Sequence, residues 1–294
     1  MSDIYFSPYR ISTITCNANI GINLNLDLNL LFDNISIKEE CFDSKEGIVW
    51  IQYMKDGQDI SRGTYPKKRR KSKKDKAKKN RFDNQVTIIY MFNNNYIPNV
   101  KIFKNGNIQL TGIKDVKHTE IIVNNIIANI RNIYETISNK IISTETNIDD
   151  LKYQNFKIRM INTDFKVYVD AEMTKGFELK RKDIHKMFIS DEYNNKCSFQ
   201  PGIYQGVKLE YFWNKLSINK NGICKCPTNC YGKGDGLSIS NCKKVTGALF
   251  ESGSILITGG ITFEQVDETY MYICNFLRRH KDTIKKPQPK ILLT

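Results

Sequence analysis

The 294-residue chain contains 3 histidines, 2 tryptophans and no apolar run approaching the ~20 residues that a membrane-spanning helix requires. The opening MSDIYFSPYR also lacks the basic-then-apolar order of a secretion signal, so a soluble intracellular protein with no membrane partner is expected. His118, His185 and His280 have no Asp or Glu at ligand spacing and are expected on helix surfaces. No P-loop, G-x-S-x-G, H-E-x-x-H or dinucleotide fingerprint occurs, and the stretch beginning at Tyr231 (YGKGDG) lacks the strand-to-helix context of a phosphate loop. An enzyme is therefore not the expected class. Acid is in short supply as well: 31 Asp and Glu face 45 Lys and Arg, which leaves a net charge of +14 and a pI near 9.3. That balance points to a polyanionic partner.

The positive charge is concentrated. Residues 67–79 (KKRRKSKKDKAKK) hold ten Lys or Arg and one Asp, a net +9, so the rest of the chain is only mildly basic. Like charges repel and this run has nothing apolar to bury, so it reads as a solvated tether. Lys67, Lys68, Arg69 and Arg70 are its leading candidates for contact with nucleic-acid phosphates; a nuclear-import signal and a plain linker are the other readings. Eight cysteines are too few for a secreted disulfide scaffold, yet Cys224, Cys226, Cys230 and Cys242 crowd into nineteen residues. Four thiolates suit a tetrahedral structural Zn²⁺ that braces a loop too small for its own core. Reduced structural thiols and a disulfide remain alternatives, because the C-x-C start departs from the usual C-x₂-C knuckle.

Self-similarity organises the chain. The segment Ile102–Gly112 (IFKNGNIQLTG) is echoed by Leu249–Gly259 (LFESGSILITG) at an offset of 147 residues. The same offset relates Ile11–Thr15 to Ile158–Asn162, and relates Ile126, Ile130 and Arg131 to Ile273, Leu277 and Arg278. Each echo is a pair of alternating apolar runs joined by Asn-Gly or Ser-Gly, which predicts a β-hairpin. Helical spacing follows in both: Ile122, Ile126, Ile130 and Ile133, then Val266, Tyr270, Ile273 and Leu277. Extended stretches at 11–22 and 157–169 precede shorter helical candidates at Asp27–Asp33 and Arg181–Phe188. The expected domains are 1–150, with a basic insertion at about 55–97, and 151–294, with a Cys-rich insertion at about 213–243. Helices are expected on one face of each sheet. The other face is expected to carry Phe103, Gln109 and Thr111 in the first copy and Phe250, Leu256 and Thr258 in the second. Threonines, aromatics and aliphatics on an uncovered face make a poor solvent surface and a good binding surface.

These residues resemble the TATA-box-binding protein family, whose recurrent hairpin (I/L)-F-x-S-G-x-(I/M)-V-x-T-G is similar to both echoes. Residues 199–207 (FQPGIYQGV) resemble the family's second-repeat loop Y-E-P-E-L-F-P-G-L. The resemblance covers roughly 9–54, 86–134 and 155–283. It implies an α+β saddle: two pseudo-symmetric repeats forming a curved antiparallel sheet with helices on the convex face. It further implies a transcription initiation factor that binds and bends AT-rich promoter DNA through the minor groove. The wedges would be Phe103, Phe250 and Tyr204, with groove-floor contacts from Thr111, Thr258, Gln109, Leu256, Thr15 and Asn162. Implied partners are AT-rich double-stranded DNA, a TFIIB-like factor and a multisubunit RNA polymerase, with the chain monomeric on DNA.

Departures shape the expectation. The first-repeat counterpart of Tyr204 falls at Lys45 or Glu46, the central asparagines align with Thr13 and Met160, and two acids of the TFIIB-gripped loop are Gln200 and Gly202 here. Together with the insertions and an AT-driven composition, they resemble the versions carried by large nucleocytoplasmic DNA viruses. That origin implies a nuclear, viral-factory or virion location. The alternative is a saddle-shaped interaction scaffold of the transcription machinery that binds DNA without sequence preference through residues 67–79.

Overall fold

A computed structural model describes residues 3–21, 24–38, 46–55, 57–66, 84–93, 95–143, 147–227 and 230–287. In chain order the strands are β1 (Tyr5–Phe6), β2 (Arg10–Asn19), β3 (Gly47–Lys55), β4 (Gln58–Gly63), β5 (Gln85–Met91), β6 (Asn99–Phe103), β7 (Asn107–Ile113), β8 (Gln154–Tyr168), β9 (Lys196–Gln200), β10 (Tyr204–Trp213), β11 (Lys243–Leu249) and β12 (Ser254–Gly260). The helices are α1 (Leu28–Asn34), α2 (Lys117–Thr136), α3 (Arg181–Phe188), α4 (Phe263–Arg279) and α5 (Lys281–Ile284). Antiparallel pairing among the described strands, with segregated helices, makes the class α+β, as expected. The chain divides into two compact units, residues 13–158 and residues 1–12 with 159–294.

In the first unit the strands run in the order β4, β3, β5, β6, β7, β2. Alternation decides their faces. Ile102, Ile108 and Leu110 are buried, while their neighbours Phe103, Gln109 and Thr111 are half-buried. The buried set faces α2, whose Ile122, Val123, Ile126, Ile127, Ile130 and Ile133 form one apolar stripe. Each such side chain contributes about 1.5–3 kcal/mol on leaving water. Helix α1 starts where Asp27 Oδ1 accepts the backbone N–H groups of Asn29 and Leu30, at 2.9 and 3.0 Å. The span 55–97 proves narrower as an insertion than the sequence suggests. Val86, Ile88 and Ile89 are buried, and β5 lies between β3 and β6, so Gln85–Met91 belongs to the sheet.

In the second unit the order is β9, β10, β11, β12, β8, with β1 also pairing β8. Ile255, Ile257, Val245 and Leu249 are buried, and α4 packs on β11 and β12 through Val266, Ile273 and Leu277. Residues 1–12 join this unit through named bonds: Tyr9 donates to Asp267 at 2.5 Å, and Tyr270 donates to the Ser7 carbonyl at 3.0 Å. Burial and the Asp267 carboxylate push the Tyr9 phenol up to about 12. The Cys-rich stretch connects β10 to β11. His118 lies on α2, His185 on α3 and His280 at the end of α4, and all three are half-buried: His118 packs 4.6 Å from Phe92, and His280 packs 5.0 Å from Phe276.

Both β6–β7 and β11–β12 turn through a glycine at φ +78°, Gly106 and Gly253, whose N–H donates to the carbonyl of Phe103 or Phe250 at 3.0 Å. L-residues rarely adopt this φ. A Cβ on Gly253 would also lie 2.4 Å from the Phe177 carbonyl oxygen, whereas one on Gly106 would first meet the end of the Leu24 side chain at 2.8 Å. Gly253→Ala is therefore expected to cost about 1–3 kcal/mol in urea unfolding, and Gly106→Ala measurably less. Equal losses would show that backbone crowding at Phe177 is immaterial.

Candidate nucleic-acid interface and metal centre

The helix-free face of the second unit is a grid set by register. One row reads Asn162, Thr258, Thr246, Glu210, Lys196, and the next reads Asp164, Leu256, Ala248, Lys208, Ser198. At one end of the grid Tyr204, the first residue of β10, meets Phe250, which directly follows β11. Their rings pack edge to face with centroids 5.7 Å apart. The Lys208 ammonium sits 4.2 Å from the Tyr204 ring centre, adding a cation–π contact. Gly206 makes room beneath the pair, since a Cβ there would lie 2.9 Å from the Tyr204 ring and 3.2 Å from that of Phe250.

Two carboxylates occupy this face, and both are paired. The Arg10 Nε lies 2.5 Å from Asp164 Oδ2. Glu210 is flanked by Lys244 at 3.1 Å and Lys196 at 3.2 Å. Burial opposes ionisation of Glu210, but the two ammonium groups outweigh it and hold the carboxyl below its ordinary value.

On the first unit one row reads Asn17, Gln109, Lys101, Thr87, Gln52, Ser61, and Thr111 stands opposite Asn99. Thr111 Oγ1 donates to the Asn99 carbonyl at 3.4 Å. Thr15 is half-buried on β2, and Thr13 Oγ1 accepts the Gly112 N–H at 2.9 Å. Phe103 ends β6 half-buried, and no aromatic ring packs on it among the described residues. Contrary to the expectation of an uncovered face, part of this one is covered. Trp50, Ile89 and Met91 are buried together with Val49, flanked by Ile97, and the Tyr65 ring stands edge-on to Trp50 at 5.0 Å. The alternation in β3 and β5 looks two-sided apolar in sequence, which is the signal for this cluster.

The amide oxygens of Asn17 and Asn162 are buried without a hydrogen-bond partner among the described residues. An unmet acceptor of this kind is costly, and an approaching donor would satisfy it. Glu46, one of the two candidate sequence counterparts of Tyr204, is exposed and offers no ring. Lys45, Lys67, Lys68, Arg69 and Arg70 lie outside the described residues.

Cys224, Cys226, Cys230 and Cys242 converge: all four Sγ atoms lie within 4.8 Å of one another. Sγ of Cys226 is 3.5 Å from that of Cys242, which is 3.8 Å from that of Cys224. A tetrahedral S₄ site with Zn–S of about 2.3 Å has S···S edges of roughly 3.8 Å, so the donor set fits a metal of this type. None of the described cysteines forms a disulfide. Cys16, Cys197 and Cys274 are elsewhere, and burial pushes each thiol up to about 12, a range typical of inert packing groups.

No protein-family profile matches the chain. A curated relative, described as TATA-box-binding protein-like from Acanthamoeba polyphaga mimivirus, is 28% identical over 284 residues; the match covers 94% of this chain and 66% of that relative's length. Among solved structures the chain is similar to the Methanococcus jannaschii TBP, with a TM-score of 0.46 and 14% identity, covering 93% of this chain and 99% of that one.

Filling the space under the aromatic pair tests its geometry. Gly206→Ala is expected to displace the Tyr204 and Phe250 rings, abolishing their mutual ring-current shifts in NMR spectra while costing about 1–3 kcal/mol. Unchanged shifts would mean that the rings do not rest on Gly206.

Proposed function

We propose that this divergent viral relative of TATA-box-binding protein-like proteins binds AT-rich duplex DNA through the minor groove along the helix-free faces of its units, bends it, and acts in transcription initiation. The observation that carries the reading is the Tyr204–Phe250 pair at the end of a face made of Thr258, Thr246, Leu256 and Asn162. Minor-groove A·T pairs present only acceptors and no guanine amino group, so hydroxyls, an amide and aliphatics can approach closely. Aromatic rings entering a base step unstack it and kink the duplex, by about 80° in the TATA-box-binding family itself.

The sites follow from that reading. Phe250 and Tyr204 are the paired wedges and Phe103 is a single one, while Thr111, Gln109, Thr15, Thr258, Leu256 and Asn162 approach the groove floor. Pairing of Asp164 with Arg10 and of Glu210 with two lysines removes repulsion that would otherwise meet the phosphates. Lys67, Lys68, Arg69 and Arg70 add contacts independent of sequence. The factor works without catalysis, recruiting a TFIIB-like protein and a multisubunit polymerase as a monomer on DNA, inside the host nucleus or a viral factory. The four cysteines hold one structural Zn²⁺.

End-to-end FRET on an AT-rich duplex tests bending. Selective binding over a GC-rich duplex is expected, and Phe250→Ala or Tyr204→Ala should reduce the bend more than Phe103→Ala, because no ring packs on Phe103 among the described residues. Equal, unbent binding to both duplexes would discard the reading in favour of a scaffold whose only DNA contact is the basic run.

Metal content is measured separately. Atomic absorption is expected to give one zinc per chain, and Cys242→Ser should remove it and lower Tm. A metal-free wild-type chain, purified without chelator and unable to take up added zinc, would rule out the centre.

A further inference from the structure

The loop carrying the four cysteines leaves an apolar groove uncovered. A cavity of about 240 Å³ is lined by Leu216, Ile218, Ile223, Pro227 and Ile239, with Lys225 and two of the cysteines at its wall. Ile218 is 96% exposed, Ile239 80%, and Leu216 and Leu237 are 58% and 57% exposed. A 29-residue loop could have kept such side chains polar at no cost to the fold, and contiguous apolar surface of this kind marks interaction sites.

The arms that bear these side chains are held in place. Asn214 Nδ2 donates to the Ser238 carbonyl at 2.9 Å, and the Lys215 N–H donates to the Gly236 carbonyl at 2.8 Å, tying residues 214–218 to 236–239. Asp235 anchors the second arm, accepting from Asn241 Nδ2 at 2.7 Å through its carboxylate and from Gln265 Nε2 of α4 at 2.8 Å through its carbonyl. A groove ordered in advance loses little entropy when it is filled.

Charge selects the occupant. Residues 214–244 contain six lysines and a single acid, Asp235; Lys220 pairs with Glu268 and Lys244 with Glu210, both acids outside the segment, so Lys215, Lys225, Lys233 and Lys243 remain against Asp235. That acid is consumed inside the loop, and Lys215, Lys225 and Lys233 are exposed. A phosphate backbone has no apolar surface to bury against Ile218 and Ile239, so nucleic acid leaves the groove unexplained. We infer that the groove docks an acidic amphipathic segment of a partner protein, with aliphatic or aromatic anchors inserted between the two arms and carboxylates facing the lysine rim. This contact is independent of DNA binding and lies outside the aromatic-wedge face. It depends on the metal reading only in that a bound ion would stiffen the walls at Cys226 and Cys242.

The test uses fluorescence anisotropy of the full chain with a synthetic peptide of about 15 residues carrying Leu or Phe at every third or fourth position and Asp or Glu between them. A counterpart with Lys in place of the acids serves as the charge control. The acidic peptide is expected to bind at least about tenfold more tightly than the basic one, and Ile218→Ser with Ile239→Ser to weaken it at least about tenfold. Zinc content and AT-rich duplex binding should stay unchanged in that double variant, so failure here and failure of the DNA reading are separable. Serine at 67–70 should also leave peptide binding intact. Undiminished binding by the double variant, equal binding of both peptides, loss on removing the basic run, or displacement of the peptide by AT-rich duplex would each overturn the inference.

Discussion

The period-two alternation of the strands, with one set of aliphatics buried under a helix, is the constraint from which the remaining features follow. Ile255 and Ile257 cannot lie under α4 without turning Leu256 and Thr258 to the other side, and Ile108 and Leu110 do the same for Gln109 and Thr111. A one-residue slip would exchange the sets and expose the core. Stability of the buried face thus specifies the composition of the helix-free one. The glycine turns contribute by fixing register, so that Thr246 stands opposite Thr258 and Thr258 opposite Asn162.

Electrostatics on the helix-free face are resolved locally rather than by overall charge. The net charge of +14 says only that a polyanion is welcome. At the scale of side chains, Asp164 and Glu210 sit among the threonines and would work against an anionic ligand if left alone. Arg10, brought in by the N-terminal segment, and Lys196 and Lys244, brought in by neighbouring strands, neutralise them. The N-terminal twelve residues are accordingly part of the second unit's surface chemistry, held there by Tyr9 and Tyr270.

The cysteine loop obeys a different logic. It has too few apolar residues turned inward to form a core, so turns, Asx bonds and four converging thiols hold it together, and its aliphatics are left outside. A loop held by hydrogen bonds and converging thiols in place of a core presents Ile218 and Ile239 to solvent. The first unit shows the opposite arrangement, in which Trp50, Ile89 and Met91 on the helix-free side are covered by the chain itself.

Local pattern was enough to place the hairpins around Gly106 and Gly253, the helix over Arg181–Phe188 and the start of α1 at Asp27, because turn chemistry, capping and helical periodicity act over a few residues. The close spacing of Cys224, Cys226, Cys230 and Cys242 also grouped the four cysteines whose Sγ atoms converge. Other features needed distant residues to meet. The contact of Tyr204 with Phe250 spans a strand pair, Gly206 beneath them looks like any turn glycine, and the partners of Asp164 and Glu210 come from separate strands. The assignment of Gln85–Met91 to the sheet, the burial of Trp50 and the half-burial of the histidines likewise depended on which segments pack together. Periodicity states which side of a strand is apolar, but only tertiary packing decides what covers it.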